Sequence, residues 1–459
     1  MGFAGYLNDN KHIYRNIWIV ALPIILQNVL DAAVNSVDVL MLNSVGQSAI
    51  SSASLASSMV SIFFMFLYGI GTGIAMLAAQ YYGKGDYKTI EIVEGIGLKF
   101  AIIVAVIGMV LCLTIPDVLM NIYTSDEELI ELGAGYLIFV SPGLLFWAIS
   151  AVYASILRCI GKVSTSTVLE AVALISNVIL NAVFIYGFFG IPKLGVTGVA
   201  VATSLSRLIQ LIGCIIVSLR GPGVSLTFRT MFFRHRLLEK DFFSMALPAI
   251  GNDMAWGLAF SAYSGILGHM ESDAVAAYSI VNVIRNLGCV MCFGIGAAAG
   301  IIVGQILGRG DREEAVKTSH ILLRLAVITG ILGGLIVLII IPFALKASSL
   351  TPNALDYLKF MLLINTYYIT GTSVNTCLIG GIFRAGGDSK FGFKCDIIDM
   401  WVYSIPLCLI AAFVLRLPVK VVYFLMCTDE FVKWPWVFKH FYSYKWARNI
   451  TRNRDKAEL

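Results

Sequence analysis

The stretch Gly69-Ile70-Gly71 to Gln80-Tyr81-Tyr82-Gly83-Lys84-Gly85-Asp86 returns 225 residues later as Gly294-Ile295-Gly296 to Gln305-Ile306-Leu307-Gly308-Arg309-Gly310-Asp311, with seven of eighteen positions identical. The same offset sets Ala21-Leu22-Pro23 against Ala246-Leu247-Pro248. One half has been written twice, so the second half must fold largely as the first does. After one inserted residue the offset becomes 226, which sets Arg158, Gly161 and Glu170 against Arg384, Gly387 and Asp396. The repeated glycines are read as turn and helix-packing residues.

The duplicated unit is a membrane unit. The 459 residues are 58% hydrophobic and only 13% charged, where a soluble chain carries about 25% charge. Twelve apolar runs, the first near 16–42 and the last near 417–438, are each long enough to cross a hydrocarbon core. They are continuous, not alternating, which excludes a porin-like barrel. The expected fold is therefore all-α, with twelve transmembrane helices in two bundles of six. An even number per half leaves both copies in the same orientation, a parallel repeat with a natural substrate path between the halves. The boundaries expected are an N-terminal bundle over 1–219, a basic linker over 220–240, a C-terminal bundle over 241–440 and a basic tail over 441–459.

Basic residues set the orientation. Arg220, Arg229, Arg234, Arg236 and Lys240 lie in one loop, and Lys439, Lys445, Arg448, Arg452, Arg454 and Lys456 in the tail, while the loop near 117–131 has Asp117, Asp126, Glu127, Glu128 and Glu131 and no Lys or Arg. Both termini are expected in the cytoplasm of a multi-pass cell-membrane protein, with the acidic loop outside. The net charge of +5 follows from this topology, and no nucleic-acid partner is expected. The first run is too long for a cleavable signal core. The nine cysteines fall mostly in apolar runs and read as buried free thiols. His12, His235, His269, His320 and His440 are scattered, and no nucleophile–base pair or metal motif appears, so neither an enzyme nor a metal centre is expected.

Polar side chains inside spans are costly and need a reason. Asn28, Asp31, Asn35 and Asp38 follow spacings of 3, 4 and 3 on one face of the first span, which must meet protein or water. Asp38, near the external end, either titrates or binds a small cation, or only lines a wet cavity. Pro23 can bend the same helix. In the fifth span Glu170, Asn177 and Asn181 share a face. The asparagines can hydrogen-bond a carboxylate or ligate Na⁺ through oxygen, and Glu170 is expected to pair with Arg158 or Lys162. The seventh span carries Asp253, Trp256 and Tyr263, with Asp253 in the place of Asn28 and Tyr263 in the place of Asp38. Aromatic groups beside an acid suit lipophilic cations, and ordinary packing accounts for them equally well. Arg285 in the eighth span is expected to be paired structurally.

Val37-Asp38, Gly304-Gln305 to Gly310-Asp311, Asn177-x-x-x-Asn181, Gly195-x-x-Gly198 with Ala202-Thr203, and Arg384-Ala385-Gly386-Gly387-Asp388 together resemble a bacterial member of the multidrug and toxic compound extrusion (MATE) family over essentially the whole chain. That resemblance implies a V-shaped central cavity and export of organic cations driven by H⁺ or Na⁺, with no cofactor beyond the coupling ion. It implies an ion site inside the N-terminal bundle, at Asp38, Asn177, Asn181 and Thr203, which would also hold Na⁺. It matches Pro23 to a first-helix bend. Asn28, Asp31, Asn35, Asp253, Trp256 and Tyr263 are then the cavity and substrate residues. Two departures stand out: Asn181 replaces a second aspartate found in many members, and Trp256 and Ser373 stand where another branch places acidic ligands, leaving Asp253 as the acid nearby. The expected protein is a monomeric antiporter of small organic molecules in a lipid bilayer. The competing reading is a lipid-linked or polysaccharide precursor flippase, which the acidic spans disfavour because phosphate cargo calls for a basic cavity.

Overall fold

The computed structural model of the chain describes residues 10–43, 46–190, 192–220, 224–226, 228–232, 235–348 and 350–452. The side chains at 35, 36, 38–40, 43, 47, 189 and 228 lie outside the described set, among them Asn35 and Asp38. Arg234, Arg454 and Lys456 of the basic segments lie outside it too.

Among the described residues twelve main helical segments follow one another, with a short helix, Pro116–Asn121, between the third and fourth. In the first half they are α1 (Lys11–Asn43), α2 (Gln47–Lys84), α3 (Tyr87–Thr114), α4 (Glu127–Cys159), α5 (Val163–Tyr186) and α6 (Gly195–Arg220). In the second they are α7 (Arg236–Met270), α8 (Ser272–Arg309), α9 (Arg312–Ala347) and α10 (Pro352–Asn375, continued by a π-helical Thr376–Phe383). α11 runs from Ser389–Asp396 through two π-helical stretches, Ile397–Ser404 and Ile410–Val414, and α12 is broken into Val419–Met426, Asp429–Val432 and Trp434–Tyr442. Among the described residues, nine of the helices are long and apolar enough to cross a membrane. α7, α10 and α12 are not among these nine; they carry many of the buried polar groups described below.

The repeated Gly-Asp motif is a tight helix-to-helix turn. Gly85 (φ 79°) and Gly310 (φ 88°) end α2 and α8 in the left-handed region, where a side chain is strained. The next residue caps the following helix: Asp86 accepts from the Thr89 amide and Asp311 from the Glu314 amide. Gly161 and Gly387 turn the chain in the same way later in each repeat.

The described chain forms two compact units. The first comprises Leu26–Ala246 and the residues from Arg452; the second comprises Leu247–Thr451 and the residues up to Ile25. In the first unit α4 packs on α2, α3 and α6, and α5 on α6; in the second α10 packs on α8, α9 and α12. The repeat is thus visible in which helices touch. Two boundaries fall within three residues of Pro23 and Pro248, both inside helices. The start of α1 contributes Ile13, Ile17, Ala21 and Ile25 to the core of the second unit, beside Ile295, Ala298, Phe383 and Trp446. Phe242 and Ala246 of α7 pack against Gly73 in the first unit. All nine cysteines are buried, and none forms a disulfide.

Close helix approach in the second unit depends on glycine. A Cβ on Gly334 of α9 would stand 2.0 Å from the Thr366 carbonyl oxygen of α10, and one on Gly333 2.4 Å from the Gly288 oxygen of α8. Gly334→Val should therefore destabilise by about 1–3 kcal/mol or more, as overpacking does. Gly265→Ala, where a Cβ meets nothing within 4 Å, should leave thermal stability in detergent unchanged or raised. Equal melting temperatures for the two variants would contradict the close approach.

The turn before α11 adds a pH dependence. Partial burial works against the Asp388 charge, but the hydrogen bond from His440 Nε2 (3.0 Å), with Arg448 nearby, outweighs it and holds the carboxyl below the ordinary carboxylate range. A depressed carboxyl contributes stability above its unfolded value of about 4 and loses it as pH falls through the lowered value. As pH falls below about 4, melting temperatures should therefore fall less steeply for Asp388→Asn than for the parent chain.

Candidate functional site

The first unit assembles a polar corner from α5 and α6. Asn177 and Asn181 are one helical turn apart, and both are buried. Asn181 Nδ2 donates to Asn177 Oδ1 (3.2 Å), Asn177 Nδ2 donates to Thr203 Oγ1 (3.4 Å), and the Thr203 hydroxyl donates to the Val199 carbonyl (2.9 Å). The structure thus brings Asn177, Asn181 and Thr203 together. Asp38 lies on α1, with its side chain outside the described residues. Asn28 and Asp31 are half-buried on the same helix.

Glu170 does not pair with Arg158 or Lys162. Its Oε1 takes a 2.7 Å hydrogen bond from Arg207 Nη1 of α6, and its Oε2 accepts from Gln210. Arg158 instead donates to Ser155 and Ser166. The reason is geometric: a helix packed alongside can place a guanidinium at mid-depth, whereas Arg158 lies before the turn into α5. Asp31 is within electrostatic reach of Glu170 and Arg207, so three charged groups of this unit share one neighbourhood.

The seventh-span residues make contacts within the second unit. Asp253 forms an ion pair with Arg384 (2.7 Å), and Arg384 also donates to Asn252 (2.8 Å). Tyr263 is 2% exposed, and its hydroxyl contacts Ser404 (2.7 Å) and Asp429 (3.4 Å). Trp256 is half-buried, edge-on to Phe260 at 4.6 Å. Tyr263 and Asp253 thus both take part in bonds inside the unit. Arg285 lies over the Phe260 ring at 4.3 Å.

Around them is a charge network not expected from the sequence. Asn252 donates to Asp396 (2.6 Å), and the buried Lys433 ammonium stands 3.0 Å from Asp396, 3.1 Å from Glu430 and 3.6 Å from Asp399. Glu430 also accepts from Asn375 (2.6 Å) and Thr372 (3.4 Å). Asp399 and Asp429 are both 0% exposed. These residues sit where α10 and α11 widen into π turns and where α12 breaks, and such irregularities concentrate at functional sites. A signal for the network existed. The offset that aligns Glu170 with Asp396 also aligns Arg207 with Lys433, and the two pairs are the same ion pair in the two repeats.

A chain of apolar helices, written twice and holding ionisable groups within its spans, belongs to the class of multi-pass membrane transporters. A family model described as MatE matches residues 23–183 and again 248–410, two matches that begin at Pro23 and Pro248 with the same offset as the internal repeat. The chain belongs to the MatE family. It is similar to a probable multidrug resistance protein, YoeA, of Bacillus subtilis, with 25% identity over 89% of both chains. It is also similar to a probable multidrug resistance protein, NorM, of Thermotoga maritima, with 22% identity over 99% of this chain and 98% of that one. The solved structure of a point mutant of the Vibrio cholerae MATE transporter VcmN superposes with a TM-score of 0.86 at 15% identity, covering 96% of this chain and 99% of that one.

The Glu170–Arg207 pair can be tested by a double-mutant cycle. Arg207→Met strands a largely buried carboxylate and should cost about 3 kcal/mol. Adding Glu170→Gln should return much of that loss. Purely additive melting shifts would show that the pair is not coupled.

Proposed function

We propose that this chain is a secondary antiporter that exports organic compounds, often cationic and lipophilic, across the cell membrane in exchange for H⁺ or Na⁺. The observation that carries this reading is the MatE match in both repeats. The names of the relatives, probable multidrug resistance proteins, support the substrate class. The chain acts as a monomer with both termini in the cytoplasm, as its basic loops dispose them.

In this reading Asp38 is the ion-binding group of the first unit. Its neighbours in role are Asn177, Asn181 and Thr203, whose oxygens suit either a hydrogen-bonded carboxyl or a Na⁺ ion. A carrier responds to an ion only if the two conformations bind it differently, so Asp38 must change surroundings during the cycle. Pro23, inside α1, is the backbone feature at which the helix would bend with that change, since proline interrupts the hydrogen-bond ladder there. Asn28, Asn35 and Asp31 supply further polar groups on the same helix, and Trp256 an aromatic one on α7. No chemical transformation of the substrate is assigned, and no cofactor beyond the coupling ion.

The test is ethidium transport by purified protein in proteoliposomes under a proton gradient or a sodium gradient, imposed separately. Asp38→Asn should abolish gradient-driven movement while the parent chain responds to one of the two ions. Undiminished transport by Asp38→Asn would remove that residue from the mechanism, and a parent chain inert under both gradients would overturn antiport.

A further inference from the structure

One cation of the second unit lacks a counter-ion. Arg285 lies within α8, and among the described residues no Asp or Glu forms an ion pair with it. Its guanidinium instead lies over the Phe260 ring of α7, 4.3 Å from the centroid. The groups that act on it most are the phenols of Tyr278, Tyr368 and Tyr423 and the Cys289 thiol, side chains that carry no charge in water at neutral pH. The carboxylates of the unit are engaged elsewhere: Asp253 with Arg384, Asp396 and Glu430 with Lys433, and Asp429 with the Glu430 amide and Tyr263. A charge held within a span without its own partner is costly, and such residues mark substrate and ion pathways.

Two polar groups beside Arg285 are also unfilled. The Tyr278 hydroxyl stands next to both the guanidinium and Asn282, yet it is buried and no partner among the described residues meets it at hydrogen-bonding geometry. Asn282 Oδ1 is likewise buried and unpartnered among them. Tyr278, Asn282 and Arg285 follow spacings of 4 and 3, so they share one face of α8. Tyr278 is 3% exposed, whereas Asn282, Arg285, Phe260 and Trp256 are half-buried and keep an accessible side. This corner did not come with the fold. At the offset of 225 the first copy has Ala53, Ser57 and Val60 in the same places, and α2 packs on α4 without them, as α8 packs on α10.

We propose that Arg285, Tyr278 and Asn282 bind the carboxylate of an organic substrate, with Phe260 and Trp256 against its aromatic body. The assignment rests on the antiport reading and narrows its substrate class to include compounds that carry a carboxylate. A guanidinium presents its N–H groups in a flat fork that matches the two oxygens of a carboxylate. The Tyr278 hydroxyl is a donor, and an asparagine amide can turn its N–H₂ group to an anion. Trp256 and Phe260, edge-on at 4.6 Å, add apolar ring surface that favours an organic ligand and gives a hydrated inorganic anion nothing to bind.

The test is binding, by the detergent-purified full chain, of two dyes that differ in one group: rhodamine B, whose carboxylate is free, and its ethyl ester. Equilibrium dialysis against protein-free micelles gives each dissociation constant. The parent chain should bind rhodamine B about tenfold more tightly than the ester, the scale of one hydrogen bond to a charged group. Benzoate should displace rhodamine B, and inorganic phosphate at the same concentration should not. Arg285→Gln should erase the preference by weakening rhodamine B alone, Tyr278→Phe should reduce it by a smaller factor, and Arg285→Lys should keep part of it. Size exclusion checks the folding of each variant, and the parent chain's preference and the benzoate competition need no variant. Equal affinity of the parent chain for the two dyes overturns the proposal. So does an Arg285→Gln variant that keeps the preference, or one whose only change is tighter binding of the ester, as a merely repulsive cation would give. Displacement by phosphate as readily as by benzoate overturns it as well. Failure of antiport appears separately, as a parent chain inert in gradient-driven ethidium transport, whereas failure of this inference appears as dyes that the parent chain does not tell apart.

Discussion

Withdrawing an ionised side chain from water costs several kcal/mol even after the protein relaxes around it. This chain accepts that cost repeatedly inside helices that must also satisfy lipid. Glu170 is tolerable on α5 because α6 brings Arg207 to it, and Asp396 on α11 because α12 brings Lys433. In each repeat the last two helices are therefore joined by an ion pair at the same depth of the sequence pattern. Removing Arg207 or Lys433 strands a largely buried carboxylate without its cation. The polar corner at Asn177, Asn181 and Thr203 is built on the same two helices, so its geometry depends on that joint.

What the sequence conveyed follows from how local each feature is. The turns at Gly85-Asp86 and Gly310-Asp311 were legible because a left-handed glycine and a capping aspartate act within four residues. The Asn177–Asn181 contact was legible because residues four apart share a helix face. The partner of Glu170 was not, because Arg207 lies 37 residues away on a neighbouring helix and spacing says nothing about which helices are adjacent. Tyr263 was legible as a polar-capable aromatic, but not its engagement with Ser404 and Asp429. The charged residues of α12 were not legible as a network, since a broken helix hides the periodicity that draws attention to α1.

The duplication also shows how two copies of one architecture come to differ. The helix contacts and turn glycines are retained, whereas the groups along α1 and α7 have separated into acids and amides on one side and aromatics on the other. The second copy compensates on its last two helices, where π turns and a helix break replace regular backbone. Regular α-helix spends every interior amide and carbonyl on itself. Irregular helix leaves room for side chains to approach from unusual directions, and the crowded carboxylates of the second unit occur where that regularity is lost.

The placement of α1 has a consequence for synthesis. Ile13, Ile17, Ala21 and Ile25 are made more than 350 residues before Phe383, Phe441 and Trp446, which share their core. At the other end of the chain, Arg452 returns to Asp241 and to the Tyr81 hydroxyl of α2. Neither unit can be completed until the segment around residues 441–452 has been made, because each draws on residues far apart in the chain. A nascent chain halted after its first half would present an apolar row on α1 with nothing yet made to cover it.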